Sequence, residues 1–82
     1  MTMRDRILLA LSWSDLTYSE MAVALGHKRQ SIVSANQANV HMSFVEPMGD
    51  PTNRKAPPVM WKITDLGRAR LSQIRGMAGR EK

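Results

Sequence analysis

Eighty-two residues allow one small domain, and 43% apolar content supports a folded chain with little surplus stability. The absence of cysteine excludes disulfides, thiolate metal sites and thiol nucleophiles. Apolar stretches fall far short of the roughly 18 residues of a membrane span, and Met1 leads into no signal-peptide pattern, so a soluble, intracellular protein with no membrane partner is expected. Twelve Lys and Arg against seven Asp and Glu give +5, a balance that favours a polyanionic partner, nucleic acid before membrane.

The first helix is predicted to start at Thr2, whose hydroxyl can cap free amides, with Asp5 as an acidic first-turn residue. Ile7, Leu8 and Leu11, with Ala10 beside them, form a stripe able to face a core. Ser12 to Asp15, carrying Trp13, reads as a connection. Thr17 and Glu20 then make a T-x-x-E capping box, and Leu16 with Met21 can close a hydrophobic staple around it. Met21, Ala22 and Leu25 supply this helix with its apolar side, and Gly26 is suited to the position just after it. A third helix is predicted from Lys28 to Val40. Its expected buried side is Ile32, Ala35 or Asn36, and Val40, while Gln30, Ser34, Gln37 and His41 recur on another side. Ser31, Val33, Ser34, Asn36 and Asn39 are weak helix formers, so this helix needs tertiary support. Its many short amides and hydroxyls are arranged for hydrogen bonding.

Phe44 and Val45 begin an extended stretch that Pro47 is expected to interrupt. Val59, Trp61 and Ile63 alternate with Met60 and Lys62, the period of a half-buried strand that places Trp61 in the core. Between these runs, Met48 to Pro58 holds too much Gly and Pro for a regular element, so a hairpin with an elongated loop is predicted. Thr64 or Asp65 can cap a last helix in which Leu66, Leu71 and Ile74 make the contacts and Gly67 allows close approach. The domain is expected over residues 1–75, with a flexible basic tail over 76–82. The fold class is α+β: three helices, a β-hairpin and a C-terminal helix.

Catalytic chemistry finds no support in the sequence. His27 and His41 lack clear carboxylate partners for a metal, neither G-x-x-x-x-G-K-[ST] nor H-E-x-x-H occurs, and Glu20 is accounted for by the capping box. The reading is a protein without cofactor that is not an enzyme.

The capped helix "LTYSEMAVALG", the following "HKRQSIVSANQANV", the stretch "SFVEP" and the closing "WKITDLGRARL" give most of residues 1–74 a resemblance to the winged helix-turn-helix superfamily. Within that superfamily of bacterial and phage DNA-binding proteins, the chain is most similar to small MarR-like and related regulators. The resemblance implies that the helix after the turn lies in the major groove of DNA, while the hairpin loop, or wing, touches the adjacent minor groove or backbone. On this chain Lys28, Arg29, Gln30, Ser31 and Ser34 match the recognition helix, and Asn53, Arg54 and Lys55 match the wing tip. Ile32, Leu66 and Leu71 match core positions. Two departures stand out: the exit "NVHMSFVEP" carries no glycine, and the long terminal helices by which MarR-like regulators dimerise have no counterpart, so their dimer geometry is not carried over.

The residue chemistry agrees with this assignment. Arg29 can pair with guanine O6 and N7 and Gln30 with adenine N6 and N7, Ser31, Ser34 and Gln37 can donate to phosphates or bases, and Lys28 suits a phosphate. Cationic wing residues suit the narrow, negative minor groove. Double-stranded DNA is therefore the expected partner, bound by a repressor-like, cytoplasmic and nucleoid-associated transcriptional regulator, with a homodimer expected where specificity is high. Other readings are an architectural DNA-binding protein of phage or plasmid replication or excision, and a winged-helix adaptor or inhibitor that binds a protein partner. DNA binding predicts that Lys28, Arg29, Arg54 and Lys55 converge on one positive surface. An adaptor predicts an apolar patch around Trp13, Phe44 or Met48.

Overall fold

The computed structural model describes residues 2–49 and 59–80, with side chains as far as 75. Helices α1 (Met3–Trp13), α2 (Tyr18–Leu25) and α3 (Arg29–His41) lead into strands β1 (Val45–Met48) and β2 (Met60–Ile63), and α4 (Asp65–Arg80) closes the chain. This is the α+β order expected from the sequence. The stretch 76–80, expected as part of a tail, continues the helical backbone of α4.

Local signals account for the helix starts. Thr2 caps α1 by accepting from the Asp5 amide, and its hydroxyl donates to the Asp5 carboxylate at 2.9 Å. At α2 the capping box is complete: Thr17 Oγ1 accepts from the Glu20 amide at 3.2 Å and Glu20 Oε1 accepts from the Thr17 amide at 3.0 Å. Helix α1 runs on through Trp13, where a connection was expected, because the first break in the backbone comes at Ser14, extended at φ −163° and ψ 157°.

Ile7, Leu8 and Leu11 of α1, Met21 of α2, Ile32 of α3, Val45 of β1 and Trp61 and Ile63 of β2 form one buried cluster. Burial of each such side chain contributes about 1.5–3 kcal/mol, so this cluster is the main favourable term in folding. Two core expectations are corrected. Val40 is 41% exposed and Asn39 is buried in its place, because Ile32, Asn36 and Asn39 fall at i, i+4 and i+7 on the inner stripe of α3. Leu66 is 58% exposed: Gly67 and Leu71 form the inward side of α4, and Leu66 sits about 100° away from Gly67 around the helix.

Strands β1 and β2 pair antiparallel in the register Val45↔Ile63, Glu46↔Lys62, Pro47↔Trp61 and Met48↔Met60. Pro47 thus lies within β1 and does not interrupt it. The Trp61 amide and carbonyl both bond to Leu16, at 2.8 and 3.2 Å, so Trp61 faces Pro47 at a non-hydrogen-bonded position and the missing proline N–H breaks no rung. Leu16 in turn joins the hairpin as an isolated bridge, fastening the connection between α1 and α2 to β2.

Two helix ends use the same pair of bonds. After α2, Gly26 at φ 67° donates to Val23 and His27 donates to Ala22. After α3, Ser43 at φ 60° donates to Val40 and Phe44 donates to Asn39. Both are Schellman closures, and the second answers the absent glycine in the sequence: a serine takes the left-handed position. Beyond it the chain is clamped. The Thr64 amide donates to the Phe44 carbonyl at 2.9 Å, Thr64 Oγ1 donates to the Ser43 carbonyl at 2.6 Å, and the same oxygen accepts from the Gly67 amide at 3.1 Å. Gly67 presses against this junction so closely that a Cβ would collide with the Phe44 carbonyl and lie 2.7 Å from Ile63 Cγ1.

Exchanging the two cap residues should move stability in opposite directions. Gly26→Ala is expected to lower it by about 1 kcal/mol and Ser43→Gly to raise it by up to about 1 kcal/mol, since only the latter relieves a side chain held in the left-handed region; urea denaturation measures both. Gly67→Ala is expected to cost at least about 2 kcal/mol despite alanine's better helix propensity, because backbone cannot yield to the new methyl as a side chain would. A thermal melt unchanged by this substitution would contradict the packing described.

Candidate nucleic-acid interface

The outer side of α3 is exposed and rich in polar side chains, and its position is fixed from within. Asn36 Nδ2 donates to the Tyr18 hydroxyl at 3.2 Å, which sets α3 against α2. Asn39 Nδ2 donates to the Arg4 carbonyl at 3.1 Å, which sets it against α1. Each bond lies on the buried stripe, so together they fix the rotation of the helix about its axis and hence which residues face outward.

The residues the sequence singled out face outward. Lys28, Arg29, Gln30, Ser31, Ser34 and Gln37 are all exposed. No Asp or Glu occurs anywhere in α3, so no fixed negative charge on the helix opposes an approaching phosphate. The start of the helix adds to this. Lys28 occupies the cap position without a side-chain cap bond, and the Ile32 amide bonds to the Lys28 carbonyl at 3.2 Å. The first-turn amides and the positive end of the helix dipole are therefore presented beside two cations.

Arg29 is held. Its guanidinium carbon stands 5.8 Å from the centroid of the Tyr18 ring, within cation–π range, and Tyr18 rests at 5.3 Å on Trp61. A continuous path thus runs from the core tryptophan of β2, through Tyr18, to the first residue of α3. Tyr18 reaches both Arg29 and Asn36, a role the sequence reading missed. The available signal was its place directly after Thr17, in the first turn of α2.

Other basic residues are placed differently. Lys62 pairs with Glu46 across the hairpin at 2.9 Å, and the hydrogen bond and charge of Glu46 raise its pKa above the ordinary lysine value. Arg70 Nε lies 3.7 Å from the Asp5 carboxylate. Arg4 and Arg70 line a separate cavity of about 370 Å³ with Asp5, Asn39 and Phe44. The wing residues Asn53, Arg54 and Lys55 lie outside the described residues, so of the four cations expected to converge only Lys28 and Arg29 are located, adjacent at the start of α3. Trp13, by contrast, is exposed on α1. Among the described residues no three His, Asp or Glu side chains gather to hold a metal ion, and no helix is long and apolar enough to cross a membrane.

No family model matches the chain, and no curated protein matches it in sequence. Its structure, however, is similar to several solved ones. The adhesin competence repressor AdcR of Streptococcus pyogenes superposes with a TM-score of 0.78 at 18% identity, over 99% of this chain and 59% of that one. A MarR family transcription regulator superposes with a TM-score of 0.83 at 23% identity, over 99% of this chain and 53% of that one. MarR of E. coli in its apo form gives 0.81 at 19% identity, over 95% and 57%. The chain spans little more than half the length of these proteins. By architecture it is a winged helix-turn-helix domain, with α2 and α3 as the helix-turn-helix and β1 and β2 as the stem of the wing.

Proposed function

We propose that this chain binds double-stranded DNA sequence-specifically and acts as a transcriptional regulator by occupying an operator. One observation carries the reading: α3 presents an exposed, acid-free polar surface that opens with Lys28 and Arg29. The fold supports it, since one of the similar structures named above is described as a repressor and another as a transcription regulator.

In this reading α3 enters the major groove. Arg29, steadied over Tyr18, reads guanine, Gln30 reads adenine, and Ser31, Ser34 and Gln37 donate to phosphates or base edges. Lys28 and the first-turn amides of α3 take a phosphate. The wing residues Asn53, Arg54 and Lys55 reach the neighbouring minor groove or its phosphates. Lys62, already paired with Glu46, contributes little to the positive field. A protein acting this way works in the cytoplasm, on the nucleoid.

Selection from a randomised duplex pool at two salt concentrations tests the proposal. An enriched motif with salt-dependent affinity supports it, and no enrichment at either salt overturns it. On the selected site, Arg29→Ala is expected to lose about 1–3 kcal/mol of discrimination at one base pair. Lys28→Ala is expected to weaken binding across sequences and lower the salt slope by about 1. Unchanged affinity in both variants would remove α3 from the interface.

A further inference from the structure

Arg29, the first residue of α3, is held by one side chain from another helix. Tyr18 stands half-buried in the first turn of α2. Its backbone is framed by Leu16, which bridges to Trp61, and by Thr17, which closes the capping box. Its ring rests at 5.3 Å on the indole of Trp61, itself only 4% exposed. The Arg29 guanidinium carbon lies over the same ring at 5.8 Å, and the hydroxyl accepts from Asn36 Nδ2 at 3.2 Å. One aromatic side chain thus meets the exposed start of α3 with its ring and the buried stripe of α3 with its oxygen.

An aromatic partner suits an arginine that must read a base. A carboxylate beside Arg29 would occupy its N–H groups and offset its charge. A ring attracts the cation through its π system and leaves those donors to others, so the guanidinium keeps the fork that matches guanine O6 and N7. Among the described residues Arg29 forms no ion pair. A solvated arginine also loses rotamer freedom when DNA fixes it, and holding it beforehand removes a loss of about two- to tenfold in affinity.

The hydroxyl acts on a different quantity. Its bond to Asn36 restrains the rotation of α3 about its axis, and that rotation moves Gln30, Ser34 and Gln37 together. Resting on the DNA-binding reading above, we propose that Tyr18 is a specificity-determining positioning residue. Its ring aims Arg29 at one base pair, while its hydroxyl sets how the remainder of α3 sits in the groove. The two parts of one side chain, outside the interface itself, therefore act on separable features of the operator.

The test compares the wild type with Tyr18→Phe and Tyr18→Leu on the site that the wild type selects, base pair by base pair, with Arg29→Ala marking the pair that Arg29 reads. Tyr18→Phe keeps the ring and is expected to lower affinity by about two- to tenfold on every version of the site, with discrimination at the marked pair retained. Tyr18→Leu is expected to lose about fivefold of that discrimination as well, and to lose none further there once Arg29 is already alanine. A second measurement needs no DNA. An aromatic ring shields protons held over its face, so the Arg29 Cδ protons should resonate upfield of the ordinary arginine position in the free wild type and in Tyr18→Phe. This proton shift keeps the test decisive if Tyr18→Leu, which uncovers Trp61, fails to fold in a circular dichroism melt. Ordinary Arg29 proton shifts in the wild type overturn the proposal. So do retained discrimination at the marked pair in folded Tyr18→Leu, its loss in Tyr18→Phe, or full additivity of Tyr18→Leu with Arg29→Ala. A wild-type chain that selects no site is a distinct result, which overturns the DNA-binding reading and this proposal with it.

Discussion

The rest of the structure depends on the junction at which the exit of α3 meets the start of α4. The Phe44 carbonyl accepts from the Thr64 amide, the Ser43 carbonyl accepts from the Thr64 hydroxyl, and Gly67 allows helix backbone to press against strand backbone. These contacts bring the two ends of the hairpin together one residue before the ladder proper begins at Val45 and Ile63. They fix the wing stem relative to α3, since one side of the junction directly follows the last turn of α3 and the other is the end of β2. The close approach needs a residue with no Cβ at 67, and the sharp turn out of α3 needs a left-handed residue at 43.

Above this junction the buried stripe of α3 trades stability for position. Asn36 and Asn39 stand where aliphatic side chains would pack without polar groups to satisfy, and Asn36 Oδ1 and Trp61 Nε1 are buried without a partner among the described residues. An unsatisfied buried polar atom costs on the order of 1–3 kcal/mol. In return each amide makes one directional bond, to Tyr18 or to the Arg4 carbonyl, which apolar packing would not supply. Apolar contacts tolerate rotation of a helix about its axis. A pair of hydrogen bonds on different neighbours does not, and this rotation decides which side chains α3 presents.

Much of this was legible in the sequence because local chemistry and periodicity agreed. The T-x-x-E box, the Ile7, Leu8 and Leu11 stripe and the alternation through Trp61 each rest on interactions within a few residues. So did the outward set Gln30, Ser34 and Gln37. The errors came where tertiary structure decided. Pro47 reads as a strand breaker until Trp61 is seen to spend its amide and carbonyl on Leu16, which no local pattern announces. Asn39 is left off the expected buried side until its amide finds Arg4, 35 residues earlier, although its i+7 spacing from Ile32 was a signal. Leu66 reads as core because it is leucine, yet Gly67 sets the inward side of α4. Tyr18 was passed over because its role lies in three partners far apart in sequence.

The two tryptophans occupy opposite environments, Trp61 packed beside Tyr18 in the core and Trp13 standing in solvent. One chain therefore carries two natural fluorophores, an inner one shielded from aqueous quenchers and an outer one open to them. Emission from the inner indole follows the integrity of the domain, while emission from the outer one follows whatever comes to rest on α1, so spectra taken with and without an aqueous quencher separate the two without any label.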